Sequence, residues 1–325
     1  MLCIKNGTIL GSFIFIMAFA LFLLMACEEN PTEPDPEYPD VTREEKIPDD
    51  AVKMTPETDV YPPVLHLDAW ENPVPLPGPV NTAGGEDSPF IPVDRDEFYF
   101  FFTPDVSVPA EQQVGDDVTG IYMSKYEEGN WQEPERIWLQ DPGKLSLDGA
   151  EFIQGNEMLF VSAREGYTGL HWFSADYVDG AWTNWQKADF NSDYEVGELH
   201  IHENELYYHS AKAGGKGQYD IWKLTKVNGA WQNPVLVEIL NSTETDGWPY
   251  VTPDGSELWF TRTYLGSPAV YRSIKSEGEW QEPELVLSQF AGEPTMDKFG
   301  NLYFVHHYFI DGVMIEADIY VCYKK

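Results

Sequence analysis

The sequence predicts an all-β fold: a five-bladed β-propeller of four-stranded antiparallel blades, closed by an N-terminal strand that completes the last blade. Three observations carry this expectation. A Gly-x-Trp turn recurs about every 50 residues. A strand of bulky, alternating residues follows the inner segment of every repeat. The last repeat ends after three strands, while an unattached copy of the outer-strand signal stands at the front of the chain.

The turn mark comes first. Gly129, Trp131 and Pro134 form one copy, Gly229, Trp231 and Pro234 another, and Gly278, Trp280 and Pro283 a third. Gly180 and Trp182 form a variant copy, with Trp185 in place of the proline. The orphan copy is Asp68, Trp70 and Pro73. The spacing lies in the range for four-stranded blades. The second-strand runs are 98–102, 158–162, 206–210, 258–262 and 302–306, which give five inner hairpins. The repeat following Gly292 lacks its outer strand, and the Trp70 copy can supply it, removing two free sheet edges. The propeller is expected to span residues 60–325.

Residues 1–26 read as a signal peptide: Lys5 gives a short positive region and 9–25 are almost unbroken apolar. The segment ends Leu24, Met25, Ala26, Cys27 and resembles a bacterial lipobox. That resemblance implies lipidation of Cys27 and anchoring in the outer membrane of a bacterial cell envelope, periplasmic or surface-exposed. An uncleaved membrane anchor is the alternative. Residues 27–59 are rich in Pro, Glu and Asp and read as an acidic, extended tether. With Cys3 in the signal and Cys27 lipidated, Cys322 has no intrachain disulfide partner and reads as a small buried hydrophobe.

Aromatic content is 14% and formal net charge is −35. That charge argues against nucleic acid as a partner, since phosphates require Lys and Arg. It suits polar ligands, cations or other envelope proteins. There is no Gly-rich phosphate loop, Gly-x-Ser-x-Gly elbow or His-Glu-x-x-His motif, which disfavours the chemistries those motifs serve.

The run Thr252, Pro253, Asp254, Gly255, followed by Leu258, Phe260 and Arg262, resembles the repeat of PD40-type propellers, the group related to the TolB propeller. Tyr219, Asp220, Ile221 and Trp222 resemble that family's third strand. The resemblance implies the fold, and only weakly an activity.

In such a fold the inner-strand starts of all blades converge on one channel mouth. Aligned on their acids they read Glu86-Asp87-Ser88-Pro89, Asp148-Gly149-Ala150-Glu151, Glu195-Val196-Gly197-Glu198, Asp246-Gly247-Trp248-Pro249 and Ala291-Gly292-Glu293-Pro294. The first column accepts hydrogen bonds from turn amides in the simplest reading. In the fourth column Glu151 and Glu198 replace proline, and with Asp87 or Glu293 they would crowd carboxylates at one mouth, raising one another's pKa. The five-bladed furanosidases and related glycosidases resemble this layout, with an Asp base, an Asp modulator and a Glu acid. The resemblance implies catalytic roles for Asp87, for Asp148 or Glu151, and for Glu198. A solvated acidic channel, or one holding a structural Ca²⁺, is the alternative; no other cofactor is expected.

Further ligand contacts are expected from Arg164 and Arg262, read as equivalent and suited to gripping an acidic sugar, and from His209, Asp246 and Glu293. Trp248 can stack on a sugar face. His200 and His202 share a strand face, but a third metal ligand is not evident. The insertion 104–119 would overhang the mouth. Three functions follow: a module binding a polar ligand, with a glycan foremost; a glycoside hydrolase; or a protein-interaction scaffold.

Overall fold

A computed structural model describes residues 37–188, 190 and 195–325. The expected signal segment, Cys27 and the first part of the expected tether lie outside the described residues.

The described chain is built from antiparallel β-meanders of one design, occurring five times. The first uses Gly85–Phe90, Glu97–Thr103 and Gly120–Glu127, with an outer strand broken into Asn130–Trp131 and Glu135–Arg136. The second uses Ser146–Gln154, Glu157–Arg164, His171–Val178 and Ala181–Lys187. The third uses Leu199–His202, Glu205–Ser210, Asp220–Val227 and Ala230–Leu236. The fourth uses Asp246–Val251, Glu257–Tyr264, Ser267–Ser276 and the broken outer strand Glu279–Trp280 and Glu284–Ser288. The fifth has Ala291–Met296, Leu302–Ile310 and Val313–Cys322. Its outer position is taken from the front of the chain: Val74 pairs Val321, and Trp70 bridges Lys324. Val64–Leu65 adds a further edge to the fourth meander. These are propeller blades.

The Gly-x-Trp tryptophans hold neighbouring blades together. Three of them pack edge to face against the third residue of the second strand in the preceding blade: Trp182 on Tyr99, Trp280 on Tyr207 and Trp70 on Trp259, with centroids 6.4, 6.0 and 5.5 Å apart. Trp131 of the first blade meets Tyr303 of the fifth in the same way, at 6.5 Å. Trp182 and Trp280 also donate their indole N–H to the tyrosine hydroxyls, at 3.2 and 3.1 Å. Such pairs bury large apolar area while giving the one polar atom a partner. Cys322 is fully buried among these aromatic layers, and burial pushes its thiol up to about 12.

The inner strands share a second feature. Pairing to the second strand jumps between Asp87 and Phe90, Gly149 and Phe152, Gly247 and Tyr250, and Gly292 and Thr295. At the jump Ser88, Ala150, Trp248 and Glu293 take left-handed backbone, with φ of 50 to 54°. These are bulges, which re-aim a side chain. In the third blade His200 pairs Tyr207 as Tyr250 pairs Trp259. Glu198 therefore corresponds to Ser88, Ala150, Trp248 and Glu293, and Leu199 corresponds to Glu151. The acid-based alignment was one residue out of step in this blade: Val196, not Glu195, stands where Asp148 and Asp246 stand. The glycines are the true register mark. A Cβ at Gly149 would lie 3.1 Å from the Phe101 ring, and one at Gly247 would lie 3.0 Å from His209 Cβ. Both contacts are with the preceding blade, where strands converge on the axis.

Part of the segment expected to be a tether is packed on the blades. From Arg43 onward the chain is docked on the first and fifth blades. Arg43 is buried and donates to the carbonyls of Val80 and Pro79, each at 2.7 Å. Lys53 meets Glu316 and Asp318, both at 2.5 Å, and Met54 enters the core. Asp59 Oδ2 lies 2.9 Å from His306 Nε2. The composition is that of a spacer, but Arg43, Lys53, Met54 and Asp59 have specific partners waiting in the blades.

Candidate ligand site at the channel mouth

Two sets of acids separate in the structure. The first set is buried and paired. Arg164 donates to Asp148 at 2.7 Å and Arg262 to Asp246 at 2.5 Å. The two arginines also reach the carbonyls of Leu139 and Leu240, at 3.3 and 2.8 Å. Arg43 meets Glu86 at 3.2 Å. Each guanidinium lies over its blade's aromatic rings, Phe160 and Phe173, Phe260 and Tyr271, or Phe100 and Tyr122. Asp148, Asp246, Arg164 and Arg262 thus form buried ion pairs with one another, where a catalytic role for Asp148 and ligand contacts for the other three were expected. Nor are the two arginines equivalent. Asp246 pairs with Arg262 itself across the strands, whereas Asp148 faces Ser162, and Arg164 reaches back from two residues beyond.

The second set faces the channel. Glu151, Glu198 and Glu293 line one cavity with His200, Trp248 and Tyr250. Glu151 is 6% exposed, and neither of its carboxylate oxygens has a partner from another residue. Glu293 rests against Ser88 and Asp87, with Oε2 buried and unpartnered. Glu198 Oε1 accepts the Trp248 indole N–H at 3.0 Å. Asp87 Oδ1 lies 3.9 Å from His307 Nε2 at the rim. A second cavity, of about 220 Å³, opens beside the first and is lined by Trp248, Glu293, His307, Thr261, Thr263 and Pro268 among others. Trp248 and Glu293 belong to both.

This grouping has electrostatic consequences. Removal from water pushes the Glu198 carboxyl up to about 8, and Asp87 adds to the effect. Burial raises Glu151 well above the usual carboxylate range, with Glu198 and Asp87 contributing, and raises Glu293 likewise. Burial lowers His200 to about 3 and His209 to about 4, and lowers His307. His200 and His307, the imidazoles that line the mouth, are therefore neutral at pH 7 and do not offset the carboxyls.

His209 is not a mouth residue. It is largely buried and stacks with Trp248, centroids 4.6 Å apart, and its Nδ1 accepts the Trp248 backbone N–H at 3.4 Å. It holds the tryptophan from behind. His200 packs between Phe152 and Tyr250, at 5.0 and 4.9 Å. Among the described residues no group of three His, Cys, Asp or Glu is placed to hold a metal ion. The insertion 104–119 uses its own acids internally: Asp105 Oδ1 accepts from Ser107, and Asp116 Oδ1 from the amides of Val118 and Thr119. No residue of that insertion lines either cavity.

The sequence reading thus named Asp87, Glu151, Glu198, Glu293 and Trp248 in one region, and the structure brings these five together. It missed Phe90 and Tyr250, which form the channel wall below them. Their signal was the bulge: each stands two residues after its blade's left-handed position.

The fold and the convergent inner strands define a β-propeller. No protein-family model matches the chain, and no curated protein does. Among solved structures it is similar to TolB from Acinetobacter baumannii, at 13% identity and TM-score 0.44, over 74% of this chain and 55% of that one. It is similar to a Bacteroides ovatus protein described as Xyloglucan PUL GH43B, at 13% identity and TM-score 0.46, over 76% of this chain and 53% of the other. A gluconolactonase from Xanthomonas campestris aligns at 12% identity and TM-score 0.44, over 81% of this chain and 95% of that one. The chain spans about half the length of the first two. Likeness at this level carries no argument about activity.

Proposed function

We propose that the chain is a five-bladed propeller, closed by its Trp70 strand, that binds a polar, hydroxyl-rich ligand of the glycan class at the channel mouth. In the same proposal it works as a lipid-anchored protein of a bacterial cell envelope, tied to the outer membrane through Cys27.

The observation that carries the binding reading is the contact of Trp248 with Glu198, beside Glu293 and Asp87. An aromatic face suits the C–H face of a sugar. Glu198, pushed up to about 8, both donates and accepts hydrogen bonds in its protonated form, as sugar hydroxyls require. The test is a glycan array probed with residues 37–325 and with Trp248→Ala. Binding of a defined glycan class by the parent, lost in the variant, supports the reading. Binding unaffected by Trp248→Ala, or capture of an envelope polypeptide with no glycan, overturns it, the latter in favour of a scaffold. The anchor is tested by incorporation of labelled palmitate, expected in the full chain and absent in Cys27→Ala.

One observation favours a second reading, glycoside hydrolysis. Glu198, pushed up to about 8, stays protonated at neutral pH, and Asp87 is near it at the rim. A protonated acid and a second carboxyl in a different environment are the two groups such hydrolysis uses. Glu151 would then tune Glu198. A polysaccharide panel with Glu198→Gln and Asp87→Asn decides: release of sugar by the parent and loss in both variants supports turnover, and no release by the parent removes it.

A further inference from the structure

We infer that the ligand of this mouth carries a free ammonium group: an amino sugar whose ring lies against Trp248 and whose amine enters the channel between Glu151, Glu198 and Glu293. This rests on the glycan reading above and narrows its chemical class.

The first support is the donor and acceptor balance. Three buried carboxylate oxygens, both of Glu151 and Oε2 of Glu293, have no donor from another residue. Buried polar atoms are normally partnered. A primary ammonium brings three donors and no acceptor, whereas a sugar hydroxyl brings one donor and turns lone pairs toward the carboxyls. Glu151 is more than nine-tenths buried and lines the same cavity as the other two acids.

The second support is the absence of an internal counter-charge at the mouth. Arg43, Arg164 and Arg262 are committed to Glu86, Asp148 and Asp246. His307 is held neutral by burial. Four acids thus share one mouth with no cation among the residues lining its two cavities. A metal ion would need several oxygens at coordinating distance at once, and the described residues show no such group. A single ammonium needs only hydrogen-bond geometry.

The third support is size. The cavity between the acids encloses about 40 Å³, room for a group of a few heavy atoms. The adjoining cavity at Trp248 is several times larger, at about 220 Å³. A ring outside and an amine inside fit that pair, with Trp248 and Glu293 touching both parts. Seating the ammonium favours the ionised acids, so binding releases protons.

The test is titration calorimetry of residues 37–325 at pH 6 with a chitosan tetramer, whose amines are free, and with its fully N-acetylated form. Each titration is run in two buffers of different protonation heat. The inference expects the free-amine form to bind at least about tenfold tighter than the acetylated one, with net proton release. Glu151→Gln should remove most of that preference and reduce the protons released. Because Gln conserves shape in a buried position, the variant is expected to fold, which circular dichroism checks. Equal or tighter binding of the acetylated form overturns the inference and leaves the glycan reading standing. Binding of neither form, in a protein that also binds nothing on the array, removes both.

Discussion

Arg43 Nη1 donates to Glu86 Oε1 at 3.2 Å, although the two are separated by 43 residues and Arg43 precedes the first repeat. The slot it fills is the one that Arg164 and Arg262 fill from within their own blades. In the fifth blade the roles reverse: the blade supplies His306 and the leading segment supplies Asp59. The segment 43–59 thus supplies charged partners to both the first and the fifth blade.

Replacing Arg43 by Ala leaves Glu86 buried without its counter-charge. Removing one member of a buried pair costs about 3 kcal/mol or more, and Thr82, whose amide and hydroxyl both bond Glu86, offsets part of this. A drop of about 2–3 kcal/mol in urea unfolding is expected. Restoration of most of it by the second change Glu86→Gln would show that the buried charge is the cause; no recovery would mean that packing over Phe100 and Tyr122 dominates.

Removing the whole segment is predicted to be worse. A domain starting at residue 60 loses Arg43, the two contacts of Lys53, the buried Met54 and Asp59. Its melting temperature should fall by about 10 °C relative to residues 37–325. Equal melting temperatures would mean that 43–59 is a passive spacer after all.

Trp70 tests closure. Its side chain is buried against Trp259, and its Nε1 donates to Gly300 O at 2.9 Å. Trp70→Ala should cost about 3–5 kcal/mol, as large-to-small changes of buried aromatics do. A cost below about 1 kcal/mol would show that the front strand is not required to hold the fifth blade.

Stability should fall as pH rises from 6.5 to 8.5. Glu151, Glu198 and Glu293 have folded-state values raised above their unfolded ones, Glu198 to about 8. The stability from their neutral forms is complete below the unfolded pKa, near 4.5, and is lost as pH climbs through the folded one. His200, His209 and His307 act in the opposite sense, but below about 6.5, where the unfolded chain takes up their protons. Each carboxyl still protonated contributes a slope of up to about 1.4 kcal/mol per pH unit. Glu198→Gln should flatten the curve and stabilise the protein at pH 8; an unchanged slope would show that Glu198 is already ionised at pH 7.

Much of this molecule was legible from the chain alone. Gly-x-Trp turns, alternating strands and the orphan Trp70 copy are local signals set by turn chemistry and the two-residue period of a strand, so they announce blades without knowledge of neighbours. The acids at the mouth were legible for the same reason, since every inner strand begins at the same place. Tertiary structure decided the rest. A bulge shifts facing by one residue, so the position of Glu198 in its blade depended on pairing with Tyr207 and Tyr208, and Gly197 was the mark that the acids obscured. Whether an arginine faces ligand or its own blade depends on an aromatic slot that any part of the chain can fill, and Arg43 fills one from outside the repeats. Composition made 27–59 look like a solvated spacer because charge and proline measure what a segment lacks; they carry no record of the buried partners, Glu86, Glu316 and His306, that await it elsewhere in the fold.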